Sequence, residues 1–213
     1  MERKCILFDL DGTLTDSGPC IIHCFVATME HYGLPIPDDA ALRTIIGPPL
    51  RGSFQRFGVA ADMVDEVVVH YRKLYQKGGK YENIPYPGIG DLLRKLKEDG
   101  HRLFVATSKP EHMAVDILQH FGLDHWFEII CGSAMDGLRD KKEDVIAYLL
   151  EKAGGKENCI MVGDTVFDVV GAAYHKIPTV VVGWGYGVRN DMIHAGAIAV
   201  ADTMDELYGL LSK

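Results

Sequence analysis

The feature that most constrains the fold is a regular alternation of short apolar runs with amphipathic helical segments. The apolar runs are rich in β-branched residues and predict strands, whereas the segments between them repeat apolar residues at helical spacing. The six predicted strands are 4–9, 102–107, 127–131, 159–163, 178–183 and 197–200. Strands that are apolar throughout are typical of a parallel sheet covered by helices on both faces. The sequence therefore predicts an α/β core with a Rossmann-like parallel sheet.

One long stretch interrupts this alternation. Residues 17–81 carry helical patterns separated by turns rich in Pro and Gly, and they contain no convincing buried strand. The α/β pattern resumes near residue 82. We therefore predict an α/β core formed by residues 1–16 and 82–213, with an α-helical cap domain, residues 17–81, inserted after the first strand.

Composition limits the classes of partner and the compartment. The 213 residues carry a formal net charge of -8, which argues against a nucleic-acid ligand. No apolar run approaches the roughly 18 residues that span a membrane, and Asp9 and Asp11 cut short the apolar start that a signal peptide needs. The five irregularly spaced cysteines predict reduced thiols. We expect a cytoplasmic monomer or weak homodimer that acts on a small molecule and binds neither nucleic acid nor membrane.

Three predicted strands end in polar side chains that folding alone does not require. These are Asp9 and Asp11 after the first strand, Thr107, Ser108 and Lys109 after the second, and Asp164 and Asp168 after the fourth. In parallel α/β sheets, ligands bind beyond the carboxyl ends of the strands. The sequence therefore predicts that these residues share one site.

The chemistry that suits these side chains is phosphoryl transfer through an aspartyl-phosphate. Asp9 is the predicted nucleophile, and Asp11 the acid and base that serves the leaving oxygen and then water. A divalent cation between Asp9 and Asp164 suits Mg²⁺, which prefers carboxylates, waters and a phosphate oxygen. Thr107 and Lys142 are placed to donate hydrogen bonds to the phosphoryl oxygens.

Each residue taken alone also has a structural interpretation. Asp168 and Thr107 are suitable helix caps. Lys142 lies in a charged run, residues 139–144, that is typical of a solvated surface. The complete set in this order nevertheless favours a reaction site, because buried strands repeatedly end in groups that complement a phosphate and a metal.

Four ordered motifs resemble those of the haloacid dehalogenase superfamily. They are "FDLDGTLTDS", "VATSKP", the region of Lys142 and "MVGDTVFDVVGA", and the similarity covers nearly the whole chain. The helical insertion after the first motif resembles the cap of the branch that contains phosphoglycolate phosphatases and β-phosphoglucomutases. The resemblance implies a Mg²⁺-dependent phosphatase of that branch.

The resemblance also implies a role for each matching residue. Asp9 is the nucleophile and Asp11 the acid and base, while Thr107 and Lys142 bind the phosphoryl group. The implied metal-site residues are Asp9, Asp11 through its main-chain carbonyl, Asp164, and Asp168 in support. Dehalogenases of this fold lack an acid at the position of Asp11, so its presence argues for a phosphate-ester leaving group.

Several assignments stay open at this stage. Lys141 is adjacent to Lys142; we favour Lys142 because it directly precedes a helical run. Ser108 and Lys109 are candidates for contacting substrate. Arg51, or alternatively Arg43, is a candidate for a second anionic group on the substrate, although a solvated surface position is about as consistent with the pattern. The glycine-rich segment 183–190 is interpreted as a flexible loop at the rim of the site.

The predicted function is hydrolysis of a small phosphorylated metabolite, with phosphoglycolate, a nucleoside 5′-monophosphate and pyrophosphate as candidate substrates. A sugar phosphomutase is the nearest enzymatic alternative. A receiver-like module, in which a phosphorylated Asp acts as a switch, is the alternative from another class. The cap and Asp11 argue against such a module, since a long-lived phospho-aspartate gains nothing from an adjacent acid.

Overall fold

The computed structural model describes residues 3–135 and 139–212. The strands are β1 Cys5–Phe8, β2 Thr15–Asp16, β3 Ile84–Pro85, β4 Arg102–Pro110, β5 Ile129–Ser133, β6 Cys159–Gly163, β7 Thr179–Val182 and β8 Ala199–Ala201. Six of them form one parallel sheet in the order β5-β4-β1-β6-β7-β8. The predicted parallel α/β sheet is therefore confirmed.

Helices cover both faces of this sheet. The α-helices of the described residues are α1 Gly18–His31, α2 Asp39–Arg43, α3 Leu50–Arg56, α4 Val64–Lys77, α5 Ile89–Glu98, α6 Glu111–His120, α7 Lys142–Ala153, α8 Val166–Tyr174, α9 Arg189–His194 and α10 Met204–Leu211, and those from α5 to α10 pack against the sheet. On one face Leu7 of β1 packs in a cluster with Val145 of α7, and on the other Phe8 packs in a cluster with Leu93 of α5. Burial on both faces explains why the strand sequences are apolar throughout.

Two short strands were not predicted. Thr15–Asp16 pairs antiparallel with Ile84–Pro85, so the chain segments that enter and leave the helices α1 to α4 are hydrogen-bonded to each other. Two residues are too few to produce a periodic pattern in the sequence. The division into a core and an inserted cap at residues 17–81 remains a prediction of the sequence.

The strand predicted at 102–107 is longer in the structure, because β4 contains a bulge. Its register with β5 runs regularly to Ala106 and is regained at Pro110, which lies opposite Ser133. Bulges redirect side chains at the ends of strands. The three residues inside this one, Thr107 to Lys109, are those predicted for the site.

Two further observations concern the cysteines and the helix lengths. All five cysteines are free, and four of them are buried. No helix in the described ranges combines the length and the apolar character that crossing a bilayer requires.

Candidate active site

The carboxyl ends of β1, β4 and β6 meet beneath the helices α1 to α4 and enclose a cavity of about 260 Å³. The predicted site residues that line it are Asp9, Asp11, Arg51, Thr107, Ser108, Lys109 and Lys142. Asp164 and Asp168 are fully buried, and each offers a carboxylate oxygen close to Asp9. The structure thus brings all the residues predicted from the strand ends to one place.

Three buried carboxylates form the centre of the site. Asp9, Asp164 and Asp168 each offer an oxygen, and these oxygens lie within 4.8 Å of one another. Burial raises the pKa of Asp9 to about 6, although the nearby Lys142 opposes the shift. Burial, together with the charges of Asp168 and Asp9, raises the pKa of Asp164 well above its usual value. A buried cluster of oxygen donors in which burial raises the pKa of Asp9 and of Asp164 fits Mg²⁺.

Lys142 is the cationic centre of the site. Its Nζ lies 2.8 Å from Oδ1 of Asp9 and 2.7 Å from Oδ1 of Asp168, and it donates a 3.0 Å hydrogen bond to the carbonyl of Ala106. The ammonium therefore makes two ion pairs and one hydrogen bond. Burial favours the neutral amine, but the two carboxylates outweigh it and raise the pKa of Lys142. Lys141, by contrast, is exposed and precedes the first residue of α7.

Asp168 has a partner for each oxygen. Its Oδ2 accepts hydrogen bonds from the backbone N–H groups of Asp164 and Thr165 and from the Thr165 hydroxyl, at 2.9–3.2 Å. This is a capping box that begins α8, and Oδ1 contacts Lys142. The structural and functional interpretations of Asp168 thus coexist, and its hydrogen bonds fit the supporting role better than direct metal ligation.

Asp11 has an ionic partner that the sequence reasoning did not assign to it. Oδ2 of Asp11 lies 2.8 Å from Nζ of Lys109, which also donates a 2.9 Å hydrogen bond to the hydroxyl of Tyr75 in α4. Burial alone would lower the pKa of Lys109, but Asp11 reverses the shift and raises it. The other oxygen, Oδ1 of Asp11, is buried and accepts no hydrogen bond from the described residues. This oxygen is available to a proton or to a ligand.

Thr107 and Ser108 occupy the bulge of β4. The hydroxyl of Thr107 accepts a 3.2 Å hydrogen bond from the backbone N–H of Lys109. Thr107 does not cap α6, because Pro110 holds the N-cap position of that helix. Thr107 is buried and Ser108 half-buried at the cavity wall. The contact of Thr107 with the phosphoryl group and the contact of Ser108 with substrate stay predictions.

Arg51 lines the cavity but already has a partner. Its guanidinium forms an ion pair with Asp65, and both side chains are more than half exposed. The predicted contact between Arg51 and substrate stays a prediction. Arg43, the other candidate, is exposed and does not line the cavity.

The glycine-rich segment packs directly behind Asp164. The backbone N–H of Tyr186 donates a 2.8 Å hydrogen bond to Oδ2 of Asp164, and the Thr13 hydroxyl donates one of 3.3 Å to Oδ1. Gly12 has a positive φ, and a Cβ there would collide with Asp164. Sequence reasoning missed Tyr186 and Thr13 as residues that orient Asp164. The signal for Tyr186 was its position just after β7, whose carboxyl end faces the site.

A second glycine makes room for Lys142. A Cβ on Gly171 of α8 would lie 2.6 Å from Cγ of Lys142. The close approach of α8 to α7 at this point lets the lysine side chain reach Asp9 while it remains buried. No sequence pattern indicates this contact, since it joins two helices.

Comparison with known proteins identifies the family. The model of the haloacid dehalogenase-like hydrolases matches residues 6–182. The tyrosine-protein kinase PtkA of Mycobacterium tuberculosis is 44% identical over 206 residues, which cover 95% of this chain and 70% of that protein. A 5′-nucleotidase of Pseudomonas aeruginosa is 41% identical over 88% of this chain and 86% of its own length.

Structures and further relatives give the same assignment. A solved structure from Clostridium acetobutylicum, described as a predicted phosphatase, is 36% identical, with a TM-score of 0.94 over 99% of both chains. A phosphoglycolate phosphatase of Nitrosococcus oceani is 29% identical over 100% of this chain and 98% of its own length. This chain belongs to the haloacid dehalogenase-like hydrolases and is a phosphatase of the phosphoglycolate-phosphatase-like branch, a phosphoric monoester hydrolase.

Proposed function

We propose that the protein is a Mg²⁺-dependent phosphatase that hydrolyses a small phosphorylated metabolite through an aspartyl-phosphate on Asp9. The observation that carries the proposal is the contact of Asp9 with Lys142 at the floor of the cavity, beside Asp164 and Asp168. Asp9, the carbonyl of Asp11 and Asp164 would hold Mg²⁺, with Asp168 in support. The ion would offset the negative charge of the carboxylates and of the phosphoryl group.

The residues of the chain divide the reaction into two steps. In the first, a carboxylate oxygen of Asp9 bonds to phosphorus, the ester P–O bond breaks, and Asp11 gives a proton to the leaving oxygen. In the second, Asp11 takes a proton from water, which attacks phosphorus and releases inorganic phosphate and Asp9. The unpartnered Oδ1 of Asp11 supports this role, since Lys109 occupies only Oδ2. Lys142 and Thr107 would stabilise the transferring phosphoryl oxygens.

The test is phosphate release from a panel of phosphate esters, with Mg²⁺ or with excess chelator. We expect turnover only with Mg²⁺, no measurable turnover by Asp9→Asn, and a rate lower by about 10²-fold or more in Asp11→Asn. Asp62→Asn, a change at an exposed residue, is the matched control and keeps the wild-type rate. Near-normal turnover by Asp9→Asn contradicts the mechanism.

The panel also separates the candidate substrates. Phosphoglycolate, nucleoside 5′-monophosphates and pyrophosphate are all included, because relatives carry the names phosphoglycolate phosphatase, 5′-nucleotidase and pyrophosphatase, the last being 36% identical. Isomerisation of a sugar phosphate without release of phosphate would instead identify a phosphomutase. A stable phospho-protein with no turnover would favour the receiver-like module.

A second candidate is phosphoryl transfer to a hydroxyl group other than water. It is favoured by the 44% identity to a protein named as a tyrosine-protein kinase. Incubation with ATP labelled on the γ-phosphate and a tyrosine-containing polypeptide distinguishes the two. Label in inorganic phosphate supports the phosphatase, whereas label on tyrosine supports the transferase.

A further inference from the structure

We propose that Arg72 recognises the end of the substrate that lies farthest from the phosphate. The substrate would be a phosphate monoester whose leaving group has an apolar body ending in a carboxylate or a similar anionic acceptor. This inference rests on the proposed function and names the substrate class of the same site.

The charges of the cavity point to Arg72. Four basic residues line the cavity, and three of them already have acidic partners: Lys109 with Asp11, Lys142 with Asp9 and Asp168, and Arg51 with Asp65. Arg72 is half-buried and makes no ion pair or hydrogen bond with any residue in the described ranges. Among these four basic residues, Arg72 is therefore the one that a ligand can bind without breaking an existing ion pair.

The position of Arg72 on α4 fits a group at the far end of a substrate. Val68, Tyr71, Arg72 and Tyr75 line the cavity and follow the i, i+3, i+4, i+7 spacing of one helix face. Tyr75 contacts Lys109 at the floor, beside Asp11. Arg72 lies almost one turn from Tyr75, a rise of about 5 Å along the helix. A leaving group that extends from the phosphate along α4 would reach it.

The apolar side chains of the cavity wall predict an apolar body between the two charged ends of the substrate. The helices and turns of residues 17–81 contribute Ile21, Ile45, Ile46 and Tyr71 to the cavity wall. Where a part of the wall is apolar, a few polar groups beside it fix the orientation of the ligand. The planar guanidinium of arginine binds a carboxylate with two parallel hydrogen bonds. Asp140 also lines the cavity, but it is exposed, so solvent screens its repulsion.

The test compares two substrates that differ only at the far end. We would measure kcat/KM for 4-carboxyphenyl phosphate and for phenyl phosphate, with Mg²⁺ present. The wild-type ratio is expected to be about tenfold or more in favour of the carboxylate, the factor typical of a hydrogen bond between charged groups. Arg72→Gln should lower this ratio about tenfold, and Arg72→Lys should retain part of it. Because the ratio is compared between variants, intrinsic differences between the two leaving groups cancel.

Two other variants complete the experiment. Lys73→Gln removes the same charge from an exposed neighbouring position on α4 and should keep the wild-type ratio. Arg51→Gln tests the competing arginine. The proposal is overturned if Arg72→Gln keeps the wild-type ratio, if it slows both substrates equally, or if Arg51→Gln alone lowers the ratio. Absence of Mg²⁺-dependent turnover of every phosphate ester by the wild type would instead overturn the proposed function, and this assignment with it.

Discussion

Lys109 and Asp11 form a buried ion pair, with 2.8 Å between Nζ and Oδ2, at the point where α4 contacts the floor of the site. The pair supplies Asp11 with a cationic partner from the bulge of β4. It also fixes the direction of the Asp11 carboxyl, whose Oδ1 faces no other donor of the described chain. An acid that must reach a leaving oxygen depends on such orientation.

Removal of this ion pair is therefore expected to slow turnover. Lys109→Met should lower kcat about 10- to 100-fold, since Asp11 loses its orienting partner while it remains present. Tyr75→Phe, which removes one hydroxyl and leaves the ion pair in place, should cost only a few-fold. Steady-state kinetics with 4-nitrophenyl phosphate measures both. A Lys109→Met protein as active as the wild type would show that Asp11 needs no partner.

Loss of Lys142 is expected to destabilise the protein. Its removal leaves Asp9 and Asp168 buried without their shared cation, and breaking a buried pair in this way costs about 3–5 kcal/mol. Urea denaturation of Lys142→Met, carried out with chelator so that no divalent cation compensates, should show this decrease. Lys141→Met is the matched control, because the exposed Lys141 contributes little. Equal stability of the two variants would contradict the described role of Lys142.

Asp9 is expected to destabilise the metal-free protein near neutral pH. Burial raises its pKa from the ordinary 3.8 to about 6, so between these values the folded state binds more protons than the unfolded state. Stability from this group is present below pH 3.8 and is lost as the pH rises through 6. With chelator at pH 7, Asp9→Asn should therefore be more stable than the wild type by on the order of 2 kcal/mol.

With Mg²⁺ present, the wild type should instead be more stable than Asp9→Asn. Binding to the carboxylates of the folded state stabilises the wild type by mass action, whereas Asp9→Asn loses the negative charge of one proposed ligand and binds the ion more weakly. Thermal unfolding of both proteins at pH 7, with Mg²⁺ and with chelator, measures the two comparisons. An equal Mg²⁺-induced rise of the melting temperature in wild type and variant would argue against Asp9 as a ligand.

His101 should make the folding stability depend on pH for a reason that does not involve the candidate active site. It is buried, its Nδ1 accepts a 3.1 Å hydrogen bond from the backbone N–H of Lys4, and burial lowers its pKa below 6.5. The folded state therefore binds fewer protons than the unfolded state, and stability is lost as the pH falls from 6.5 through the lowered pKa. His101→Asn, which keeps an acceptor, should lose less stability than the wild type between pH 6.5 and 5. Parallel stability curves for the two proteins in this range would refute the assignment.

Local sequence patterns are sufficient to predict the six strands of the parallel sheet and most residues of the candidate site. The apolar runs and helical periods predicted the strands β1 and β4 to β8 of the sheet to within a few residues. Asp9 and Asp164 are identifiable because each directly follows a buried strand, and Thr107 because it follows the regular apolar part of β4. Parallel strands present their carboxyl ends at one edge of the sheet. The short strands β2 and β3 and the bulge in β4 were missed, because none of them extends over enough residues to produce a period.

The partners of the charged residues were decided only by tertiary structure. Sequence patterns identified Asp11 and Lys109 separately, and assigned Lys109 to substrate and not to Asp11. The preference for Lys142 over Lys141 rested on one position in a charged run, whereas in the structure Gly171 of α8 leaves the space that Lys142 crosses. Spacing along the chain specifies which face of an element a residue occupies. Which charges are buried together, and hence which of them need a cation, depends on elements that are distant in sequence and meet only in the folded chain.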